Sequence, residues 1–319
     1  MKRLALFAAS VTFASLANVL PVSAQDTMKL TIGQRGNWDT AITELGTKAG
    51  IFKKHNIVLE MIYTSGSGET LQPVISGSVD AGLAVGTLGA IGAYAKGAPV
   101  VIIGAEATGA ADYWYAKASS PIKTLKDADG KTIAFSSRGS STDSVVRAFI
   151  NENKLTAKPT PTGSPSATLT AVMTDQVDVG WAAPPFGLKE IDEGKIRIIA
   201  KATDAAMVRG QTIRTIVANK EALAKRADVF KRFMAAYHET IDYMYSTNPQ
   251  VITDYATFVG IPETLAKRVR DDFFPKALIN PDEIKGLDSL MKEAVELKFI
   301  SEPLKAEQLK ELIQISPRG

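Results

Sequence analysis

The sequence contains no cysteine. Disulfides, thiolate-held zinc, iron–sulfur clusters and cysteine nucleophiles are therefore excluded as explanations of what the chain does. Histidine is nearly absent as well, with only His55 and His238 among 319 residues. A histidine-rich metal site or a Ser-His-Asp triad lacks the parts, and both histidines stand among charged residues, where a solvated surface role is expected. Charge of one sign is missing too: 37 basic residues against 34 acidic ones leave a net of +3. With no basic surplus, nothing draws the chain to nucleic acid. Apolar runs of any length are confined to the first 24 residues, so no later segment is expected to span a bilayer.

Those first residues have an order of their own. Lys2 and Arg3 precede an apolar run from Leu4 to Leu20, and Val22-Ser23-Ala24 follows. This predicts a secretory signal peptide cleaved after Ala24. With no cysteine beyond that point a lipid anchor is excluded, and the expected location is the periplasm. Removal of Lys2 and Arg3 with the leader leaves 35 basic against 34 acidic residues, a net of +1.

From Met28 onward, short apolar strands alternate with helical patterns. Strands are expected at residues 29–33, 57–63, 79–85 and 99–105, the first three each followed by a polar turn and a helix. Such alternation predicts an α/β chain with mostly parallel sheets flanked by helices. In open sheets of this kind ligands sit beyond the carboxyl ends of the strands, and each of these strands ends in a turn carrying glycine or hydroxyl groups. The pattern breaks near Gly109 and restarts, with strands at 114–118, 132–135, 177–181 and 196–200 and an extended proline-rich stretch at 158–162. A turn at Arg209-Gly210 leads to a strand at 213–218. Helices follow almost to the end, among them 228–246, whose Phe230, Phe233, Met234, Tyr237, Ile241 and Met244 mark a packing face. A final helix at 306–315 is expected to pack on the first sheet.

One stretch carries more chemistry than its neighbours. The strand 132–135 runs into Ser136-Ser137-Arg138-Gly139-Ser140-Ser141-Thr142-Asp143 and then into an apolar-periodic helix. Ser140 or Ser141 fits an N-cap, and the free N–H groups of a first helical turn suit an anion. Arg138 would add a planar fork matched to carboxylate or sulfonate. Asp143, in that same first turn, would compete with such an anion for the helix dipole. The plain alternative is a capped surface helix.

Further short motifs recur in a fixed order: Lys29-Leu30-Thr31-Ile32-Gly33 with Trp38 beyond it; Ala49-Gly50-Ile51-Phe52-Lys53-Lys54-His55-Asn56-Ile57; Ser76-Gly77-Ser78-Val79-Asp80-Ala81-Gly82; Lys96-Gly97-Ala98-Pro99-Val100; Leu125 to Lys131; and Asp175-Gln176-Val177-Asp178-Val179-Gly180. In this order and behind such a leader, they resemble the substrate-binding proteins of ABC importers, in the sulfonate/taurine/nitrate-type branch that also contains thiamine-precursor binders. Asn56 stands where that family usually has glycine, and asparagine tolerates the left-handed backbone a turn would need there.

The resemblance implies a two-lobed, type II periplasmic-binding fold. Lobe one would comprise residues 28–110 and 214–319, lobe two residues 111–213, joined by two crossing hinge segments and closing on ligand. It also implies a non-catalytic, monomeric receptor without cofactor or metal, whose partners are a small organic anion and the membrane subunits of a permease. Under that layout the cleft would draw on Trp38, Ser65, Gly66, Ser67, Gly86, Thr87, Asp112, Tyr113, Trp114, Ser136, Arg138, Ser140, Ser141, Trp181 and Arg209, with Arg35 a weaker candidate. Asp112, if exposed to ligand, would favour a cationic or hydrogen-donating group. Two alternatives stand beside this reading. One is a synthase of thiamine-pyrimidine precursors on the same scaffold, for which the cysteine-rich motif of those enzymes is absent; the other is a receptor for a neutral pyrimidine-type ligand.

Overall fold

The computed structural model describes residues 25–316, so the expected signal segment lies outside the described residues. Ten strands are present among them: β1 (Asp26–Gly33), β2 (Ile57–Thr64), β3 (Ala81–Gly86), β4 (Val100–Thr108), β5 (Tyr113–Lys117), β6 (Thr132–Phe135), β7 (Lys158–Pro161), β8 (Gly180–Ala182), β9 (Ile196–Lys201) and β10 (Thr212–Asn219). Five of them form one sheet in the order β2-β1-β3-β10-β4. β1 pairs in parallel with β2 and β3, whereas β10 is antiparallel to β3 and β4. Every residue of β3, β4 and β10 is buried, and apart from Glu106, Arg214 and Asn219 these segments read as runs of small, apolar and β-branched residues. β2 is an edge strand and alternates instead, exposing Val58 and Ile62.

The remaining strands repeat this plan. β7 pairs in parallel with β6, β6 is bridged through Ile133 to Val179 at the start of β8, and β5 lies antiparallel between β8 and β9. These form a three-stranded sheet β8-β5-β9 and a two-stranded sheet β6-β7 joined by that one bridge; in this pair of sheets, as in the five-stranded one, four strands share a direction and one inserted strand opposes them. That inserted strand, β5 or β10, is in each case the first strand after the chain passes between the five-stranded sheet and this pair. The passages are residues 109–112 and 202–211, and they touch where the Gly109 N–H donates to the Gln211 carbonyl at 2.8 Å.

Among the described residues thirteen α-helices flank the sheets: α1 (Ile42–Lys48), α2 (Ile51–Lys54), α3 (Ser67–Ser76), α4 (Thr87–Ala95), α5 (Ser141–Asn153), α6 (Pro165–Met173), α7 (Leu188–Asp192), α8 (Lys220–Lys225), α9 (Ala227–Met244), α10 (Gln250–Val259), α11 (Glu263–Arg268), α12 (Leu287–Glu296) and α13 (Ala306–Leu312). None among the described residues is long and apolar enough to cross a membrane. The stripe expected on α9 is buried, with Phe233, Tyr237 and Met244 at zero exposure. α13 is shorter than the 306–315 expected, because Ile313 bridges Ile102 and the Gln314 N–H donates to the Ile102 carbonyl, extending the edge of β4. Asn56 adopts φ of 60°. The histidines are less solvated than expected: His55 meets Glu239 at 2.9 Å and His238 meets Asp282 at 3.2 Å, each largely covered.

Candidate functional site

The carboxyl ends of the two sheets face one another around a small enclosed cavity. Gln34, Ser67, Ala84 and Arg214 line it from the first sheet and its helices, Asp112 from a crossing segment, and Ser136, Ser140, Ser141, Thr142 and Trp181 from the second sheet. Its volume is about 20 Å³, room for one water at most. The strand ends that line it are therefore closely apposed.

Local backbone explains several of these positions. β1 ends at Gly33, and the next residue, Gln34, is left-handed at φ 60°. On β3 the pairing with β10 slips between Thr215 and Val217, and Ala84 at that slip also takes positive φ, 58°. Left-handed non-glycine residues are costly and uncommon; here two of them line one cavity. The turn at Ala84 directs its N–H onto the buried carboxylate of Glu106.

Beneath the cavity lies a cluster of four buried ionisable side chains. Arg214 Nη2 donates to Asp39 Oδ2 at 2.5 Å, and its Nη1 lies 3.9 Å from Asp112 Oδ2. Glu106 completes the set. Burial, together with the nearby Asp39, pushes the Glu106 carboxyl up to about 8, while its bond to Ala84 and the charge of Arg214 oppose the rise. Burial likewise raises Asp112, with Arg214 pulling the other way. Burial disfavours a charged Arg214, yet Asp39, Asp112 and Glu106 outweigh it and hold the guanidinium charged. Because folded Glu106 binds its proton more tightly than the unfolded chain does, its contribution to stability is fully present below about 4.5 and is lost as pH rises to about 8.

Several polar atoms here have no hydrogen-bond partner among the described residues: both carboxylate oxygens of Asp112, both side-chain atoms of Asn37, Asp39 Oδ1 and Arg214 Nε. Buried polar groups are ordinarily satisfied, so this concentration beside the cavity marks a surface shaped for something polar.

Across the cavity, Ser140 is the N-cap of α5, its Oγ accepting from the Asp143 N–H at 3.2 Å. Asp143 does occupy the dipole's end: its carboxylate accepts from the Gly139 N–H and pairs with Arg147 at 2.7 Å. Thr142 Oγ1 accepts from the Ser136 N–H and bonds the Ser136 and Ser140 hydroxyls, which fixes the wall that these residues form.

The expected site residues divide sharply. Ser67, Asp112, Ser136, Ser140, Ser141 and Trp181 line the cavity. Gly66, Gly86 and Thr87 lie beside it: Ser67 Oγ accepts from the Gly86 N–H at 2.7 Å, Gly66 faces Ser136 and Ser137 across the gap, and Thr87 bonds the Thr212 carbonyl. The others do not line it. Arg138 is exposed at the rim, donating to the Leu297 carbonyl at 2.7 Å with its guanidinium over the Phe299 ring. Arg209 is spent on the Thr203 carbonyl, Arg35 on the Phe258 carbonyl and ring, and Ser65 is exposed. Trp38 is core, edge-on to Tyr245 and Tyr255. Trp114 is core too, packed on Phe149 with its indole N–H on the Ala134 carbonyl. Tyr113 turns into the second lobe, where it donates to the Phe186 carbonyl.

The cation that lines the cavity is Arg214, which was not among the residues expected from sequence, nor were Gln34, Ala84 and Thr142 beside it or Asn37, Asp39 and Glu106 beneath. A signal for Arg214 existed: it is a lone charge inside the otherwise apolar strand Ile213 to Ala218, and arginine is rarely fully buried unless it is paired.

Solved structures with the same architecture include the periplasmic aliphatic sulphonate binding protein SsuA from Escherichia coli, at 20% identity, TM-score 0.69, covering 92% of this chain and 94% of that one. The periplasmic nitrate-binding protein NrtA from Synechocystis PCC 6803 matches at 12% identity, TM-score 0.71, over 91% and 86%. The ligand-binding component of an ABC-type import system from Staphylococcus aureus matches at 14%, TM-score 0.70, over 90% and 99%. At these identities the likeness establishes the fold, a type II periplasmic-binding arrangement. Comparison with curated protein sequences gives no match. The sequence profile described as NMT1/THI5 like matches residues 39–251, about two thirds of the chain, and the protein therefore belongs to the NMT1/THI5-like family.

Proposed function

We propose that this protein is the periplasmic substrate-binding component of an ABC importer. Residues 28–110 with 214–319 form one lobe and 111–213 the other; as a monomer it closes them over a small organic anion and delivers the anion to a membrane permease without turnover. The sulphonate and nitrate receptors that share the fold support the class of function. The observation that carries the ligand assignment is Asp112, whose two buried oxygens lack hydrogen-bond partners while facing the hydroxyl-lined start of α5 across the cavity. A ligand that satisfies both sides carries an anionic or acceptor group for Ser140 to Thr142 and a nitrogen that donates hydrogen bonds to Asp112. Trp181 supplies an apolar wall.

Calorimetry with paired ligands tests this. An aminoalkylsulfonate is expected to bind about tenfold or more tightly than the same sulfonate without its nitrogen, since a buried carboxylate left unpaired forfeits ~1–3 kcal/mol. Asp112→Asn should erase that preference. Equal affinity for the two, or tighter binding of nitrate than of either, would refute the assignment. Binding of a neutral aminopyrimidine alone would remove the anionic half of the reading.

Trp181 gives a second check. It is the one tryptophan of three that lines the cavity. Cognate ligand should change the intrinsic fluorescence of the wild type, of Trp38→Phe and of Trp114→Phe, and leave Trp181→Phe nearly silent.

A further inference from the structure

A second polar cavity, of about 260 Å³, lies where the crossing segment 202–211 meets the start and inner face of α12. It is separate from the cleft and shares no lining residue with it. Two of its lining side chains are more than nine-tenths buried: Gln211 at 2% exposure and Glu293 at 3%. Neither the nitrogen nor the oxygen of the Gln211 carboxamide has a hydrogen-bond partner among the described residues, while the Glu293 carboxyl is met by the Ser144 hydroxyl alone among them. Leaving the carboxamide dry would cost ~1–3 kcal/mol, so a polar occupant is called for.

The backbone around Gln211 is rigid. Its carbonyl accepts from Gly109 of the other crossing segment, its N–H donates to the Val208 carbonyl at 3.2 Å, and the next residue, Thr212, donates to the Lys285 carbonyl at 3.0 Å. Its side chain packs against Gly286, where an added carbon would lie 2.8 Å from Gln211 Cγ. The carboxamide is therefore held at the cavity wall.

Charge decides the class of occupant. Glu293 and Glu296 face the cavity from α12, and Asp143 of α5 adds a further negative field at Glu293. Two cations line the cavity as well, but both are engaged: Nε and Nη2 of Arg209 donate to the Thr203 carbonyl, and Lys292, largely exposed, leans toward Glu296 at 3.9 Å, while Arg147 nearby pairs with Asp143. An anion would have to draw these cations away from their partners, and the two most buried polar side chains, Gln211 and Glu293, offer oxygen acceptors. A metal ion is disfavoured because the described residues contain no group of three or more His, Asp or Glu side chains able to hold one. We propose that this cavity is a second ligand site, taking the ammonium head of a small organic cation, which donates to the Glu293 carboxylate and the Gln211 carboxamide oxygen.

Because the cavity is walled by a crossing segment on one side and α12 on the other, its occupant would brace the joint on which the lobes turn. The site stands whether or not the cleft binds an anion. Methylammonium chloride serves as the probe, with sodium chloride and tetramethylammonium chloride at equal ionic strength as controls, since tetramethylammonium carries charge and no N–H. Methylammonium is expected to raise the melting temperature saturably, and the controls to have no such effect. Burial, with Asp143 and Glu296 adding to it and Ser144 opposing, pushes the Glu293 carboxyl up to about 7. The cation competes with that proton, so apparent affinity should be about tenfold higher at pH 8 than at pH 6.

Glu293→Gln should abolish the response, Gln211→Leu should weaken it by about tenfold, an order of magnitude for one lost charge-assisted hydrogen bond, and Asp112→Asn, in the cleft, should leave it intact. A response that survives Glu293→Gln, that disappears with Asp112→Asn, or that tetramethylammonium reproduces would overturn the proposal. So would no response at all, in which case Glu293 is satisfied by a proton alone.

Discussion

Gly86→Ala is expected to abolish capture of ligand while leaving the protein folded. At Gly86 the backbone has φ of −59° and ψ of 129°, angles open to any residue, so the substitution strains nothing within the first lobe. Across the cleft it is a different matter. A side-chain carbon at this position would overlap the Gly139 carbonyl oxygen and come within 2.8 Å of Ser140 Cα. These are backbone atoms, held by the Ser140 cap and by the bond from the Gly139 N–H to Asp143, so they have little room to yield. The methyl group therefore acts as a wedge that bars the closed state. A ligand that needs closure binds in proportion to the fraction of competent molecules, and a loss of 100-fold or more, about 2.7 kcal/mol, is expected. Calorimetry should show the loss, the melting temperature should move by only a few degrees, roughly 1 kcal/mol or less, and the radius of gyration should fail to contract when ligand is added. Retention of wild-type affinity would mean that the lobes engage ligand without meeting as they do here.

Arg214→Met carries the largest expected change in stability. Arg214 is the one cation among Asp39, Glu106 and Asp112, and both it and Asp39 are almost fully buried. Removing it leaves carboxylates in a dry site without compensation, a change that typically costs ~3–5 kcal/mol. The penalty applies only to carboxylates that remain ionised. In the wild type Glu106 already holds its proton up to about 8; without Arg214 Asp112 loses the charge that opposes its own rise. The loss should thus be smallest in acid and should grow as pH rises toward 8. Urea unfolding at a series of pH values measures it. Adding Asp39→Asn to Arg214→Met should recover part of the stability, and a pH-independent loss would place the effect in packing instead of charge.

The architecture was largely legible because strands covered on both faces announce themselves. β4 is nine consecutive buried residues and β6 was bounded correctly at both ends. The N-cap at Ser140 was equally readable, since serine before an apolar-periodic run has one common reason to be there. The site was read less well, for reasons that are also local. Trp38 and Trp114 fall at loop or strand-end positions in the sequence, yet their side chains turn inward, one against Tyr255 and the other against Phe149. Chain position fixes where a residue is attached and leaves open which way its ring points. Arg138, the most conspicuous cation beside the hydroxyl-rich turn, is drawn outward by the Leu297 carbonyl, some 160 residues away in sequence. Arg214 was hidden for the opposite reason: its partners Asp39 and Asp112 come from separate segments, and only the assembled sheet brings them together.

The inserted antiparallel strand of the five-stranded sheet has a consequence for how the chain is made. β10 is central in the first sheet, between β3 and β4, yet more than a hundred residues separate it from β4. Until residue 219 has left the ribosome the first lobe lacks an interior strand, and a large share of its native pairings are long-range. Folds dominated by such distant contacts form slowly. A nascent chain that stays unfolded for that interval remains threadable, which suits a protein that, on the function proposed above, must pass through a narrow secretion channel before it takes shape on the far side.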